Sequence, residues 1–330
     1  MCCQTAKMCL MLPKSRIVSA LLVGLGVALL ILGLGGPQWL VPEGRLPLDF
    51  PATTLTLRDA KATVPDPKEE QAVEAAVVKQ IHVGLMEPSD ETSVTVRVGT
   101  TLLRDSKSAD NERLIGAEVW SYRMDRDTGA AVGDAVVAFS PADPVAHMPL
   151  EGVWVKFPTS SEVKVFDPTL RKGFVAKEGE PTEVFGRPAR VFVQHVPPTK
   201  VGEDPALEFP EEDGSVTPLF FYHKAERKYM VDQVTGVVLD VHESIHDFYG
   251  TEDGEERQAV LKFEGQGTED SVRALVEAVD SVSDGSGIRM ALYGATALGG
   301  MMAIVGLVGV FGLWDPREVK PRRMRHRLRS

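Results

Sequence analysis

The 330-residue chain carries 36 basic and 47 acidic residues, a formal charge of −11. Eleven bases (Lys7, Lys14, Arg16, Arg289 and seven from Arg317 to Arg329) and two acids (Asp315, Glu318) flank two apolar runs, leaving 25 of the bases and 45 of the acids elsewhere, a net of −20. So acidic a middle argues against nucleic acid or anionic head groups as its main partner; and since Cys2, Cys3 and Cys9 all precede Lys14, it holds no disulfide.

Residues 1–16 read as a cytoplasmic N-terminus, with Met8 and Met11 as alternative starts and acylation at Cys2 or Cys3 as a minor reading. Ile17–Leu34 is apolar and uncharged behind Lys14 and Arg16. It exceeds a usual signal-peptide core and ends in Gly35-Gly36-Pro37 without a small-x-small cleavage pattern. With Trp39 placed as an interfacial aromatic, residues 17–36 read as an uncleaved transmembrane helix rather than a cleaved signal.

Residues 37–66 are proline-rich and read as a juxtamembrane linker with one candidate strand, Thr53–Leu57. Asp66-Pro67-Lys68-Glu69 has the form of a helix start. Val73, Val77 and Ile81 then recur every four residues, which predicts a helix from Pro67 to about Val83; the β-branched content would also suit a strand. From Ser93 to Phe263 short alternating runs predict β-strands within an extracytoplasmic domain of residues 67–267. Val272, Leu275, Val276 and Val279 predict an amphipathic helix, and Asp284-Gly-Ser-Gly287 a hinge after it, within residues 268–287.

Residues 288–314 form the second apolar run, long enough to cross the roughly 30 Å hydrocarbon core of a bilayer. The basic tail, 315–330, places its end in the cytoplasm. Both termini are then cytoplasmic and the domain between the spans lies outside. Ala291, Ala295, Gly299 and Ala303 form a four-residue ridge of small side chains, and Gly24 and Ala28 offer a partner on the first span. Such ridges let helices approach closely, within one chain or in a homo-oligomer.

An internal repeat bears on architecture. Tyr122, Asp125, Thr128 and Gly129 recur as Tyr229, Asp232, Thr235 and Gly236, in the pattern Tyr-x-x-Asp-x-x-Thr-Gly. Each predicts a strand, a turn in which Asp accepts backbone N–H bonds and Gly takes positive φ, and a second strand. The fold class expected is an α+β membrane protein: a curved antiparallel sheet, built from two similar halves, between two membrane helices. The concave apolar face of such a sheet suits a lipid.

Catalytic signals are few. His242-Glu243-Ser-Ile-His246 fits the zinc-protease pattern, which works only on a helix, yet it follows the alternating, β-branched Val237–Val241. On a strand the two histidines sit roughly 13 Å apart, too far for one ion. His82, His147, His195 and His223 are scattered, and the acidic clusters at 211–213 and 252–256 read as solvated turns. No catalytic residue, metal site or cofactor is assigned.

From about Met11 the chain resembles the actinobacterial DUF3068 proteins, labelled the porin PorA family. The resemblance rests on the first span ending in Gly-Pro, Leu46-Pro-Leu-Asp49, Trp154-Val-Lys-Phe157-Pro158, Val165-Phe-Asp-Pro-Thr-Leu170, the two Tyr-x-x-Asp-x-x-Thr-Gly stretches and the closing helix and span. It implies an envelope protein. Three functions are weighed: a non-enzymatic membrane protein whose outer domain binds a lipid, glycolipid or protein partner; a porin or channel component; and a metal-dependent hydrolase through His242, Glu243 and His246.

Overall fold

The computed structural model describes residues 14–37, 44–65, 72–105, 113–139, 145–211, 213–282 and 286–311. The alternative starts, the cysteines, Trp39, the helix start at Asp66–Glu69, the hinge residues Asp284 and Gly285 and the basic tail lie outside them. Two compact units form: the paired terminal helices, and residues 44–282.

Helices α1 (Lys14–Gly35) and α3 (Ser286–Val310) make the first unit, and each is long and apolar enough to cross a membrane. They touch where side chains vanish. A Cβ on Gly26 would lie 2.6 Å from the Ala303 nitrogen and 2.7 Å from the Gly299 oxygen. One on Gly33 would meet the Leu292 oxygen at 2.8 Å, and one on Gly306 the Ser19 oxygen at 2.8 Å. Partner numbers fall along α3 as they rise along α1, so the pair is antiparallel. Of the ridge named from sequence, Gly299 is buried here and Ala295 and Ala303 are half-buried, while Ala291, Gly24 and Ala28 are exposed. Gly26 and Gly33 carry the α1 side of the contact because they lie seven residues apart, two helical turns, on one face.

The second unit is a 14-stranded antiparallel sheet, curved and open. Its strands are β1 (Thr53–Val64), β2 (Val73–Ser89), β3 (Ser93–Arg104), β4 (Leu114–Asp125), β5 (Ala131–Ala138), β6 (Ala146–Pro149) and β7 (Glu162–Asp167). They continue with β8 (Lys172–Glu178), β9 (Thr182–Val184), β10 (Arg187–Lys200), β11 (Leu207–Pro210), β12 (Val216–Asp232), β13 (Val238–Gly250) and β14 (Glu256–Gly267). The order β6-β5-β4-β3-β2-β1-β14-β13-β12-β10-β8-β7 puts β1 against β14 at the centre, with β11 on β12 and β9 on β10. Helix α2 (Glu269–Asp280) packs on the sheet through Val272, Leu275, Val276 and Val279.

Two expectations are corrected. Within the stretch read as a linker, the candidate strand Thr53–Leu57 is present but longer, as β1 (Thr53–Val64), and it is a central strand of the sheet. The helix predicted from Pro67 to Val83 is instead β2, which runs from Val73 to Ser89. Residues four apart share a face on a strand as well as on a helix, so the recurrence of Val73, Val77 and Ile81 fits both. Pairing decides: β2 is hydrogen-bonded to β1 from Val73 to Val83 and to β3 from Val77 to Ser89.

Although β6 and β7 follow one another in the chain, they lie at opposite ends of the sheet. Residues 150–161 must therefore cross between its edges, and we refer to this crossing as the strap. Val153 pairs with Ala130 on one side and Val165 on the other.

The helix contact gives the first prediction. In a cysteine-free background, Ser19→Cys with Gly309→Cys should form an intramolecular disulfide under mild oxidation, because the Ser19 Cβ lies 3.0 Å from where a Gly309 Cβ would stand. Adding Gly26→Leu should abolish the crosslink on a denaturing gel, and adding Gly24→Leu should leave it.

Candidate functional site

The repeated turns and the strap form one assembly. In the first turn, Asp125 Oδ1 accepts from the Thr128 amide at 2.7 Å, the Thr128 hydroxyl at 2.8 Å and the Asp127 amide at 3.0 Å. In the second, Asp232 Oδ2 accepts from the Thr235 amide at 2.6 Å and its hydroxyl at 2.7 Å. Gly129 (φ 77°) and Gly236 (φ 74°) close the turns in the left-handed region. Both glycines lie flat against the strap: a Cβ on Gly129 would stand 2.7 Å from the Lys156 carbonyl carbon, and one on Gly236 3.3 Å from that of Phe157. Phe157 N–H donates to Gly236 O at 2.7 Å, and Val238 N–H to Val155 O at 3.2 Å. The tyrosines complete the grip. Tyr122 stacks on Trp154 at 6.4 Å and Tyr229 packs on Phe157 at 5.3 Å.

The tyrosines and glycines of both repeats thus meet the strap, while their Asp and Thr side chains shape the turns that present them. Lys156, 2% exposed, sends its ammonium to the Asp127 carbonyl at 2.8 Å. Burial pulls its pKa down to about 8, opposed by Asp127, Asp125 and Asp232. The two turns are not equivalent in the sheet. One joins β4 to β5 and the other β12 to β13; the shared strap relates them.

Under the strap lies a cavity of about 380 Å³. Its walls are Ile81, Val83 and Leu85 of β2, Val241 and Ile245 of β13, Phe263 of β14, Leu275 of α2, and Trp154 and Val155 of the strap. Lys79, Glu118, Arg227, Glu243 and Asp247 also line it. Lys79 Nζ donates to Glu243 Oε2 at 2.6 Å, and Arg227 Nε to Glu243 Oε1 at 2.5 Å. Arg227 Nη1 reaches Asp167 Oδ2 at 2.7 Å. His223, wholly buried, lies between Asp167 (3.1 Å) and Asp247 (2.5 Å). Two carboxylates on its two ring nitrogens favour the doubly protonated ring, with three cations then facing three anions.

The titrations follow from these contacts. Burial works against the Asp167 and Glu243 carboxylates, yet Arg227 with His223 holds Asp167 well below its ordinary range, and Lys79 with Arg227 brings Glu243 down to about 2. Burial also opposes the His223 imidazolium, and Asp167 and Asp247 outweigh it to raise the pKa. Glu118 is raised by burial.

Strand alternation splits the zinc-protease pattern. Glu243 faces the cavity, while His242 and His246 lie on the other face of β13 beside Asp240 (3.4 Å) and Glu256 (3.1 Å). The described residues contain no group of three or more His, Cys, Asp or Glu able to hold a metal. No local motif marks His223 or Lys79: each is a polar residue inside an alternating strand, and their partners lie 24 to 164 residues away.

The profile of the family described as Porin PorA matches residues 18–308. The chain belongs to the PorA family. It is similar to a protein named Porin PorA from Corynebacterium resistens, 28% identical over 186 residues, covering 46% of this chain and 45% of that one. It is also similar to a Porin PorA from Corynebacterium amycolatum, 23% identical over 316 residues, covering 75% and 81%. The chain thus spans about half the length of the first relative. Family membership and the two apolar helices make this a membrane protein.

Two predictions follow from the turns and the ion network. Gly129→Ala and Gly236→Ala should each lower stability by about 2 kcal/mol or more, from strain and collision together. Gly186→Ala, at φ 81° in open space, should cost only about 1 kcal/mol; thermal melting of the purified protein compares the three. His223, raised above 6.5, stabilises the fold below that pH and loses the effect as pH rises through its folded value. Asp167 and Glu243, depressed, stabilise above about pH 4.5 and lose the effect in acid. Wild-type stability should therefore decline from pH 6.5 towards 8, before the opposite effect of Lys156 begins at about 8. In His223→Gln the decline should be absent from urea midpoints taken across that range.

Proposed function

We propose that the protein is a non-enzymatic membrane protein of the cell envelope whose β-domain receives an amphipathic lipid or glycolipid, with its chain in the cavity. The cavity carries this reading: its volume of about 380 Å³ falls in the roughly 300–1,000 Å³ of small-molecule sites, and aliphatic walls with a few polar groups are their usual form. Charge bookkeeping narrows the head group. Lys79 and Arg227 are each bound to Glu243, Arg227 also to Asp167, and Lys156, which lines the cavity too, gives its ammonium to the Asp127 carbonyl. An anionic head would therefore find its cations engaged and would meet Glu118. An uncharged polar head suits the site best. The basic tail orients the β-domain outward, with both termini cytoplasmic.

A channel is the second reading, and the name of the family and of both relatives supports it more directly than it supports lipid binding. The sheet itself is a poor membrane wall, because Lys224, Glu226 and Lys228 of β12 point outward and are exposed, whereas a lipid-facing barrel needs an apolar belt. Conduction would have to come from assembled helices.

Native mass spectrometry of protein extracted from its own membrane separates the readings, with planar-bilayer recording beside it. One uncharged amphiphile per chain, lost in Val241→Arg, is the expected result. A lipid-free multi-subunit assembly with stepwise conductance would overturn it in favour of the channel.

A further inference from the structure

The β-domain is joined to its helices by two segments, residues 44–50 after α1 and α2 with its exit, residues 269–282, before α3. Each is fastened to one of the repeated turns. Arg45 makes a two-pronged ion pair with Asp127 at 2.8 and 2.9 Å. Leu46 N–H donates to Arg126 O at 3.0 Å, and Leu46 O accepts from Arg126 Nε at 2.8 Å. On the other side, Arg187 holds Asp232 of the second turn at 2.5 Å and also binds Asp280, the last residue of α2. A Cβ built on Gly44 would stand 3.5 Å from the Val234 oxygen, so the first segment passes close to the second turn as well. The turns in turn share the strap, where Lys156 donates to Asp127 O and sits 3.2 Å from where a Gly236 Cβ would be.

Both segments also reach the cavity. Phe50 of the first and Leu275 of the second line it, together with Trp154 and Val155 of the strap. A molecule filling the cavity therefore packs against all three elements at once. We infer that the clasped strap is a mechanical junction, coupling occupation of the cavity to both segments that lead to the membrane helices. The inference rests on the reading that the cavity admits an amphiphile. Coupling through such a junction must be reciprocal, because each segment biases the same clasped state.

Hydrogen exchange of the full chain in phosphatidylcholine nanodiscs tests the junction without a ligand. Arg45→Met and Asp280→Asn alter side chains exposed enough to leave the core intact. Arg45→Met should raise exchange in residues 269–282 by about threefold or more, and Asp280→Asn should do the same in residues 44–50. Both cross-effects should disappear in a Lys156→Met background; effects confined to the mutated side would overturn the coupling. In the ligand arm, monolaurin, an uncharged amphiphile, should slow exchange in both segments of the wild type. A brominated monolaurin that quenches Trp154 fluorescence but changes neither segment would overturn the coupling and leave the binding reading standing. Failure to quench, judged against Trp154→Phe, would count against the binding reading itself, while the ligand-free cross-effects would still decide the junction.

Discussion

The close approach of Gly129 and Gly236 to the backbone of Lys156 and Phe157 is the constraint on which the β-domain depends. A sheet whose chain order sends β6 and β7 to opposite edges needs a crossing, and the crossing needs its polar backbone satisfied. The turns supply both conditions: no side chain blocks the approach, and a donor and an acceptor stand at the right height. Aromatic contacts to Trp154 and Phe157, each worth about 0.5–1.5 kcal/mol beyond area burial, then fix the strap against the core. Lys156 is tolerated inside because fixed acids surround it. Thr128 N–H bonds keep Asp125 ionised, and Arg45 does the same for Asp127.

Once the strap is in place it roofs the cavity, and the charged side chains below become intelligible. An isolated buried ion costs several kcal/mol, and removing one partner from a buried pair is far more damaging than replacing the whole set. Lys79, Glu243, Arg227, Asp167, His223 and Asp247 meet that cost collectively, in a chain running from β2 through β13 and β12 to the end of β7. A network closed in this way leaves little charge to offer a ligand. That is why the cavity, though partly walled by ions, favours an uncharged amphiphile.

The helices solve a separate problem. In lipid there is no hydrophobic gain from helix contact, so close backbone packing must hold the pair. Gly26, Gly33, Gly299 and Gly306 permit it. Gly24 and Ala28 lie on another face, so small residues on one helix are not all spent on one contact.

Sequence alone determined the elements whose signal is local. Length and hydropathy mark both spans, a 3.6-residue period marks α2 from Val272 to Val279, and alternation marks most strands. The Asp and Gly of the repeat announce their turns because the bonds they make are two to four residues away. Only the tertiary structure decided what depends on distant partners. Whether Val73, Val77 and Ile81 lie on a helix or a strand was settled by pairing with β1 and β3. The face taken by Glu243, the burial of His223 and the joining of the two turns by Lys156 were settled by contacts tens of residues apart. A period of four cannot distinguish a helix face from a strand face, and composition cannot tell a solvated charge from a buried one; both are decided by which surfaces the folded chain brings together.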